Sequence, residues 1–264
     1  MSAVTNTGRL GGERELSDIC FELGLALNPE SPGTYFEAGA QDGLSQSNTI
    51  RLERERSWSG ILVEPSRAFD ALMSNRSRTN EFVNAALVDD PARESIVGLF
   101  NGHLTDTADP ALRNEFTKRT SRVTPLERMR RLYVLFRRVF SGRSLKDRRK
   151  NLISVSATTL DRVFKESKFN TVDLFSLDVE GMELVALRGF SWKIRPRVLV
   201  IETRGKDALG IAEILLQNDY VLVSGQPKSR PNPESPSGDF LNLIWVDSRD
   251  KSAMRASHSV LLED

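Results

Sequence analysis

The chain is organised around the stretch from Thr34 to Pro65. It opens with a segment of strand character, Thr34 to Ala38, and runs into a glycine loop, Gly39-Ala-Gln-Asp-Gly43. Ser47 stands where a helix N-cap belongs, ahead of a charged helix expected from about Asn48 to Arg56. Gly60 to Val63 reads as a second strand that ends on Glu64 and Pro65. A strand, a tight loop, a helix and a second strand within about thirty residues form a unit of the size of a nucleotide-binding half.

Three physical needs meet in this unit. A nucleoside must approach the backbone closely, and glycines without a Cβ permit that. A helix N-terminus offers unpaired N–H groups that can hold a carboxylate or phosphate. An acid at the end of the second strand can accept from both ribose hydroxyls, and Glu64 stands in that place. The loop has the wrong glycine spacing for a dinucleotide fingerprint and lacks the Lys-Ser/Thr ending of a P-loop. Glu37, at the end of the first strand, would repel a pyrophosphate. It suits a ligand with a positive end, such as the amino acid and sulfonium of S-adenosylmethionine (SAM).

Phe36-Glu-Ala-Gly-Ala-Gln-Asp-Gly43, Ser47-Asn-Thr49, Leu52-Glu53, Trp58-Ser-Gly60 and Leu62-Val-Glu-Pro65 together resemble the opening of the FkbM family of SAM-dependent methyltransferases. Thr158-Thr-Leu-Asp161 and Val172-Asp-Leu-Phe-Ser-Leu-Asp-Val-Glu-Gly181, with Glu183, fit the same family. Each block is weak by itself; the ordered set, over about 33–90 and 154–246, is specific. The resemblance implies an α/β, Rossmann-like class I methyltransferase fold: a mostly parallel seven-stranded sheet with helices on both faces. It implies SAM as cofactor and O-methylation of a hydroxyl on a sugar, glycan or secondary metabolite. Glu37, Gly39, Ala40, Asp42, Gly43, Ser47, Asn48 and Thr49 would hold the methionine end, Glu64 and Pro65 the ribose, and Asn84 with Ala85 the adenine neighbourhood. Asn84 is equally read as a residue that satisfies backbone groups near a turn.

Bulk properties narrow the class. At 264 residues the chain can bury one large α/β core. A formal charge of +1 gives no global attraction to nucleic acid, and none is expected as a partner. Cys20 is the one cysteine, so an internal disulfide framework is excluded, in keeping with a reducing compartment. With only His103 and His258 besides, a histidine-rich metal site is excluded too, and no metal is expected. No apolar run nears the roughly 18 residues that span a bilayer, and the first twelve residues lack the apolar core of a signal peptide. A cytoplasmic protein is expected.

Along the chain, residues 1–12 read as disordered, 13–247 as the methyltransferase domain and 248–264 as a loose polar tail. Glu13 to Leu27 carries a helical apolar period and should cover the sheet. A third strand is expected over Glu81 to Val88, an added strand over Ser95 to Phe100, and a return to the sheet at Ile153 to Val155. Thr158 or Thr159 caps the next helix. Val172 to Leu177 and Arg197 to Ile201 read as buried parallel strands that end on Asp178 and Glu202. Tyr220 to Val223 and Asn242 to Val246 read as the last two strands, and the resemblance implies that they form an antiparallel pair at one edge.

Residues 101–151 differ from the rest. Between Arg113 and Lys150 stand fourteen Lys/Arg against three acids. Met129, Leu132, Tyr133, Leu135, Phe136, Val139 and Phe140 form an apolar stripe, so 125–140 reads as a basic amphipathic helix in a rim insertion. A lid, a site for an anionic acceptor, and contact with an anionic membrane surface are the competing readings.

Methyl transfer to an alcohol needs alignment and an acceptor for the alcohol proton. Asp178 and Glu202 end adjacent strands at the crevice, where a base belongs. Asp178 also fits a ligand for the SAM amino group, or a plain helix-capping acid. Glu180 and Glu183 could join it around a divalent cation, although dipole complementation explains them as well. His103 is a minor candidate base. A rival reading keeps the fold as a non-catalytic binding module that acts through the basic insertion. Methylation of nucleic-acid bases is disfavoured, because Asp178-Val-Glu-Gly181 is not an Asn/Asp-Pro-Pro-Tyr type motif.

Overall fold

The computed structural model describes residues 15–90, 97–100, 152–204, 207–227 and 240–261. The basic insertion, His103 and the N-terminal segment lie outside them. Seven strands form one sheet: β1 (Thr34–Ala38), β2 (Ser59–Val63), β3 (Glu81–Val83), β8 (Leu174–Leu177), β9 (Val198–Arg204), β10 (Tyr220–Pro227) and β11 (Phe240–Asp247). Their spatial order is β10-β11-β9-β8-β1-β2-β3. Only β11 runs antiparallel, against β9 on one side and β10 on the other. The chain therefore moves outward from β1 to β3, then resumes on the other side of β1 at β8. That reversal makes the carboxyl ends of β1 and β8 the topological switch point, where open α/β sheets bind ligands.

Strand alternation feeds two cores. Phe36, Ile61, Phe175, Leu199 and Trp245 point to one face, where α4 (Leu160–Glu166), α5 (Glu183–Arg188) and α6 (Ala208–Gln217) supply Val163, Ala186 and Ile211. Tyr35, Leu62, Leu174, Val200 and Ile244 point to the other, against Leu23 of α1 (Leu16–Leu27) and Leu52 of α2 (Ile50–Arg56). Leu72 of α3 (Phe69–Asn75) joins this second core. Fully buried side chains such as Phe36, Phe175 and Leu62 each contribute about 1.5–3 kcal/mol. Cys20 is buried among them, as a small apolar residue should be.

The structure departs from the sequence reading in three places. The third strand stops at Val83, and Ala86–Leu87 (β4) pairs instead with Ala157–Thr158 (β7). The Asn84 amide explains the exit: it donates to the Glu64 carbonyl at 2.9 Å and turns the chain away from the ladder. Val97–Phe100 (β5) and Leu152–Val155 (β6) pair with each other as an antiparallel ribbon and do not rejoin the main sheet. The tail expected to be loose forms α7 (Lys251–Leu261). Asp250 caps it by accepting from the amides of Ser252 and Ala253, each at 2.9 Å, and Ala253 and Ala256 pack into the same core as α1.

Candidate functional site

The strand registers bring the expected residues into one row. Ala38 pairs with Val63 and Leu177, Leu177 with Ile201, and Val63 with Val83. One residue further along each strand stand Gly39, Glu64, Asp178, Glu202 and Asn84. The ladder continues into this row: the amides of Gly39, Asp178 and Glu64 donate to Val63, Ala38 and Val83 at 3.0, 3.1 and 3.0 Å. Asn242 stands opposite Glu202. Adjacent strands lie about 4.8 Å apart, so three carboxylates flank a glycine along the carboxyl edge of the sheet. Period-two alternation places them on the face that also carries Tyr35 and Glu37.

Gly39 occupies the centre because nothing larger fits. Its φ is +81°, and an added Cβ would lie 1.7 Å from the Asp178 carbonyl oxygen. The loop that follows is tied to the second strand by Glu64, which is 4 % exposed. One of its oxygens accepts from the Gln41 amide and the other from the Ser66 amide, both at 2.7 Å. Each oxygen retains a lone pair for a further donor. Asp42 folds the loop on itself by accepting from the amides of Leu44 and Ser45 at 2.9 and 2.7 Å. Its partial burial opposes ionisation, but these bonds outweigh it and hold the carboxyl below its usual range. Ala40 and Ala85 are buried, Pro65 is half-buried and Asn84 is exposed.

Glu37 has a different setting. It is 4 % exposed and accepts from the Asn48 amide at 2.8 Å, from the hydroxyls of Ser47 and Thr49, and from Arg76 at 3.3 Å. Ser47 in turn accepts from the amides of Thr49 and Ile50 at 3.3 and 3.2 Å. The first amides of the α2 turn are thus bonded within the protein, contrary to the expectation that they face a ligand anion. The Asn48 side chain reaches the other way and donates to Ser176 Oγ at 3.0 Å.

Beneath the loop lies a buried polar network that the sequence did not announce. The Arg76 guanidinium donates to Glu53, Glu37, Ser47, Thr49, the Tyr35 hydroxyl and the Gly43 carbonyl at 2.8–3.3 Å. Burial alone would lower its pKa, but the charges of Glu37 and Glu53 and the Tyr35 oxygen raise it. Glu53 is held below the usual carboxylate range. Desolvation works against ionisation there, but the Tyr35 hydroxyl and Arg76 prevail. Asn80 completes the set by donating to Glu53 at 2.6 Å and accepting from the Gly60 amide at 2.9 Å.

On the other side of Gly39, the turn after Asp178 is held by Glu183. The turn passes through Glu180 at φ 54° and Gly181 at φ 97°. The Glu183 carboxylate, 2 % exposed, accepts from the amides of Val179 and Gly181 at 2.9 and 3.1 Å. Burial pushes its pKa up to about 7, and the nearby charge of Asp178 pushes the same way. Asp178 and Glu202 are neighbours across the β8–β9 ladder, and Glu202 is 2 % exposed. Among the described residues no group of three or more His, Cys, Asp or Glu is placed to hold a metal ion. No helix among them is long and apolar enough to cross a membrane.

A glycine loop at the switch point, closed by an acid at the end of β2, is the arrangement on which family membership can be judged. The family model of the methyltransferase FkbM domain matches residues 37–222, well over half of the chain. The chain belongs to the FkbM methyltransferase family. Its matched span runs from Glu37 to Leu222 and so takes in Glu64, Asp178 and Glu202, with Arg76, Glu53 and Asn80 of the buried network. Among solved structures, the methyltransferase FkbM from Methylobacillus flagellatus KT is 13% identical with a TM-score of 0.44. That likeness covers 80% of this chain and 43% of the other, so this chain spans less than half of that protein's length. A precorrin-6y C5,15-methyltransferase from Geobacter metallireducens GS-15 is 10% identical with a TM-score of 0.40, over 86% of each chain. No curated protein matches.

Of the residues singled out from the sequence, Gly39, Glu64, Asn84, Asp178 and Glu202 share the row. Ala40, Asp42 and Gly43 shape the loop, while Glu37, Ser47 and Thr49 lie under it. Arg76, Asn80 and Tyr35 were not singled out as site residues, and Glu53 was named only within the Leu52-Glu53 block of the resemblance. Their one signal was Leu52-Glu53, an acid beside an apolar residue in an otherwise solvated helix. Arg76 at a helix end looks like any surface arginine until the fold turns it inward.

Proposed function

We propose that this methyltransferase uses SAM and methylates a hydroxyl of a sugar, glycan or secondary metabolite. The observation that carries the cofactor reading is Glu64. It is a buried carboxylate at the carboxyl end of β2, bonded to the glycine loop, with one lone pair still open on each oxygen. Two vicinal ribose hydroxyls offer the donors that such a carboxylate takes. The glycine at position 39 lets the loop pack directly against the Asp178 carbonyl, and so sets the loop close beside the ends of β1 and β8.

In this reading Glu64 holds the ribose, with Pro65 fixing the exit of the chain beside it. Gly39, Ala40, Asp42, Gly43 and Asn48 form the wall for the methionine end, braced from below by Glu37, Ser47 and Thr49. Asn84 and Ala85 border the adenine. When bound, SAM supplies a methyl group on a sulfonium, already activated for displacement. The protein's own work is then alignment, exclusion of water and removal of the hydroxyl proton. Asp178 and Glu202 sit one strand apart at the crevice, and either carboxylate can accept that proton.

Calorimetric titration with SAM and S-adenosylhomocysteine tests this. Wild type is expected to bind at micromolar levels. Glu64→Ala is expected to weaken binding at least tenfold, about 1.4 kcal/mol. A wild type that binds neither compound would sink the reading.

A further inference from the structure

We propose that Arg76 is a positioning residue for the cofactor loop: it sets the shape of residues 39–49 from behind without touching the ligand. The inference rests on the SAM reading of that loop. The Arg76 side chain is fully buried, and its contacts run in two directions. Toward the sheet and α2, it donates to the Tyr35 hydroxyl and to Glu53, both at 2.8 Å. It also donates to Glu37 of β1 at 3.3 Å. Toward the loop, it donates to the Gly43 carbonyl at 3.3 Å, Ser47 Oγ at 3.1 Å and Thr49 Oγ1 at 2.9 Å. One planar group therefore fixes three points of the loop relative to three points of the scaffold.

The loop is cut to fit it. An added Cβ at Gly43 would lie 2.7 Å from Arg76 Cγ, so the second glycine of the loop leaves room for the arginine stem. A buried ion pair is a poor way to gain stability, because desolvation consumes most of the attraction. It is a good way to fix geometry, because the guanidinium presents its donors in a rigid fork. Lysine would keep the charge but offer three donors from a single point, which cannot span the same six acceptors. Glu37 joins the two roles. It accepts from Arg76 and from the Asn48 amide, and so transmits the arginine's position to the start of α2.

The test compares Arg76→Lys with Arg195→Lys in the full chain. Arg195 makes a bidentate pair with Asp247 at 2.8 and 2.8 Å, at the opposite edge of the sheet from the loop. Three quantities are read for each: melting temperature, Kd for SAM and S-adenosylhomocysteine, and amide hydrogen exchange across 39–49. Arg76→Lys is expected to weaken binding about tenfold and to speed exchange across the loop, as loss of preorganisation requires. Arg195→Lys is expected to lower the melting temperature while leaving Kd within about twofold and loop exchange unchanged. The proposal is overturned if Arg76→Lys binds as wild type does, or if both variants lose binding in step with melting temperature. Should Arg76→Lys fail to fold, Thr49→Val keeps both ion pairs and removes one loop anchor. An unchanged Kd and loop exchange in that variant overturns the proposal equally. If wild type binds neither probe, the SAM reading falls first. If wild type binds and the variants do not differ, only the positioning role falls.

Discussion

Two regions meet at Gly39, and they hold their buried acids in opposite ways. On the β1–β2 side, Glu37 and Glu53 are paired with a buried arginine at 3.3 and 2.8 Å, and hydroxyls and amides fill the remaining sites. On the β8 side, Glu183 is held by two backbone amides and faces the negative charge of Asp178. In the first arrangement burial opposes ionisation of Glu53, but the Tyr35 hydroxyl and Arg76 outweigh it and hold the carboxyl below its usual range. In the second, burial and the charge of Asp178 push the Glu183 pKa up to about 7. Glu53 therefore keeps its charge through the neutral range, whereas Glu183 can change its charge near neutrality.

The comparison breaks first at Arg76. Arg76→Met fills the same space but leaves Glu37 and Glu53 buried without their cation. It is expected to cost about 3–5 kcal/mol, read by urea unfolding. A loss below about 1 kcal/mol would mean that hydroxyls and amides suffice, and the contrast with the β8 side would vanish.

Gly39→Ala acts on the contact between the two regions. A Cβ at 1.7 Å from the Asp178 carbonyl, added at φ +81°, must force β1 and β8 apart. The expected cost is about 3 kcal/mol from strain and overpacking. Unfolding measurements on this variant would show whether the two strand ends can separate more cheaply.

Glu183→Gln has the smallest expected effect on stability, but it sharpens the comparison most. A carboxyl whose pKa is raised on folding binds more protons in the native state than in the unfolded one. Its contribution to stability is therefore full below the ordinary glutamate value of 4.5 and is lost as pH rises through the window up to about 7. Wild type should gain melting temperature as pH falls from 8 to 6, and Glu183→Gln should lose that slope. Glu37→Gln, on the paired side, should leave the slope in place.

The βαβ unit, the glycine loop, Glu64 and Asp178 at the end of β8 were legible in the sequence. They are local: strand alternation, a turn that needs glycine and an acid at a strand end are each written in a few consecutive residues. Helix α7 was missed, since 248–264 reads as a loose tail, although weak local signals stand in it. Asp250 is a good cap, and Ala253, Ala256, Ser257 and Val260 keep a helical period. Small residues give a weak apolar signal, however, and only packing against α1 shows that this face is buried. The exit of the chain at Asn84 was missed, because a side-chain amide that reaches a neighbouring strand's carbonyl has no local signature.

By itself, then, the sequence determined the class of fold and that Glu64 and Asp178 follow the ends of β2 and β8, since both follow from short-range pattern. Glu202, read as a strand end, lies inside β9, which stays paired with β11 as far as Arg204. Only the tertiary structure decided what those acids do to one another. Register placed Glu64, Asp178 and Glu202 in one row with Gly39. The inward turn after α3 gave Glu37 an arginine, and burial beside Asp178 brought the Glu183 proton within reach of exchange near pH 7. Charge pairing in a buried site depends on distances of a few ångströms between residues tens of positions apart, and linear spacing does not encode those distances.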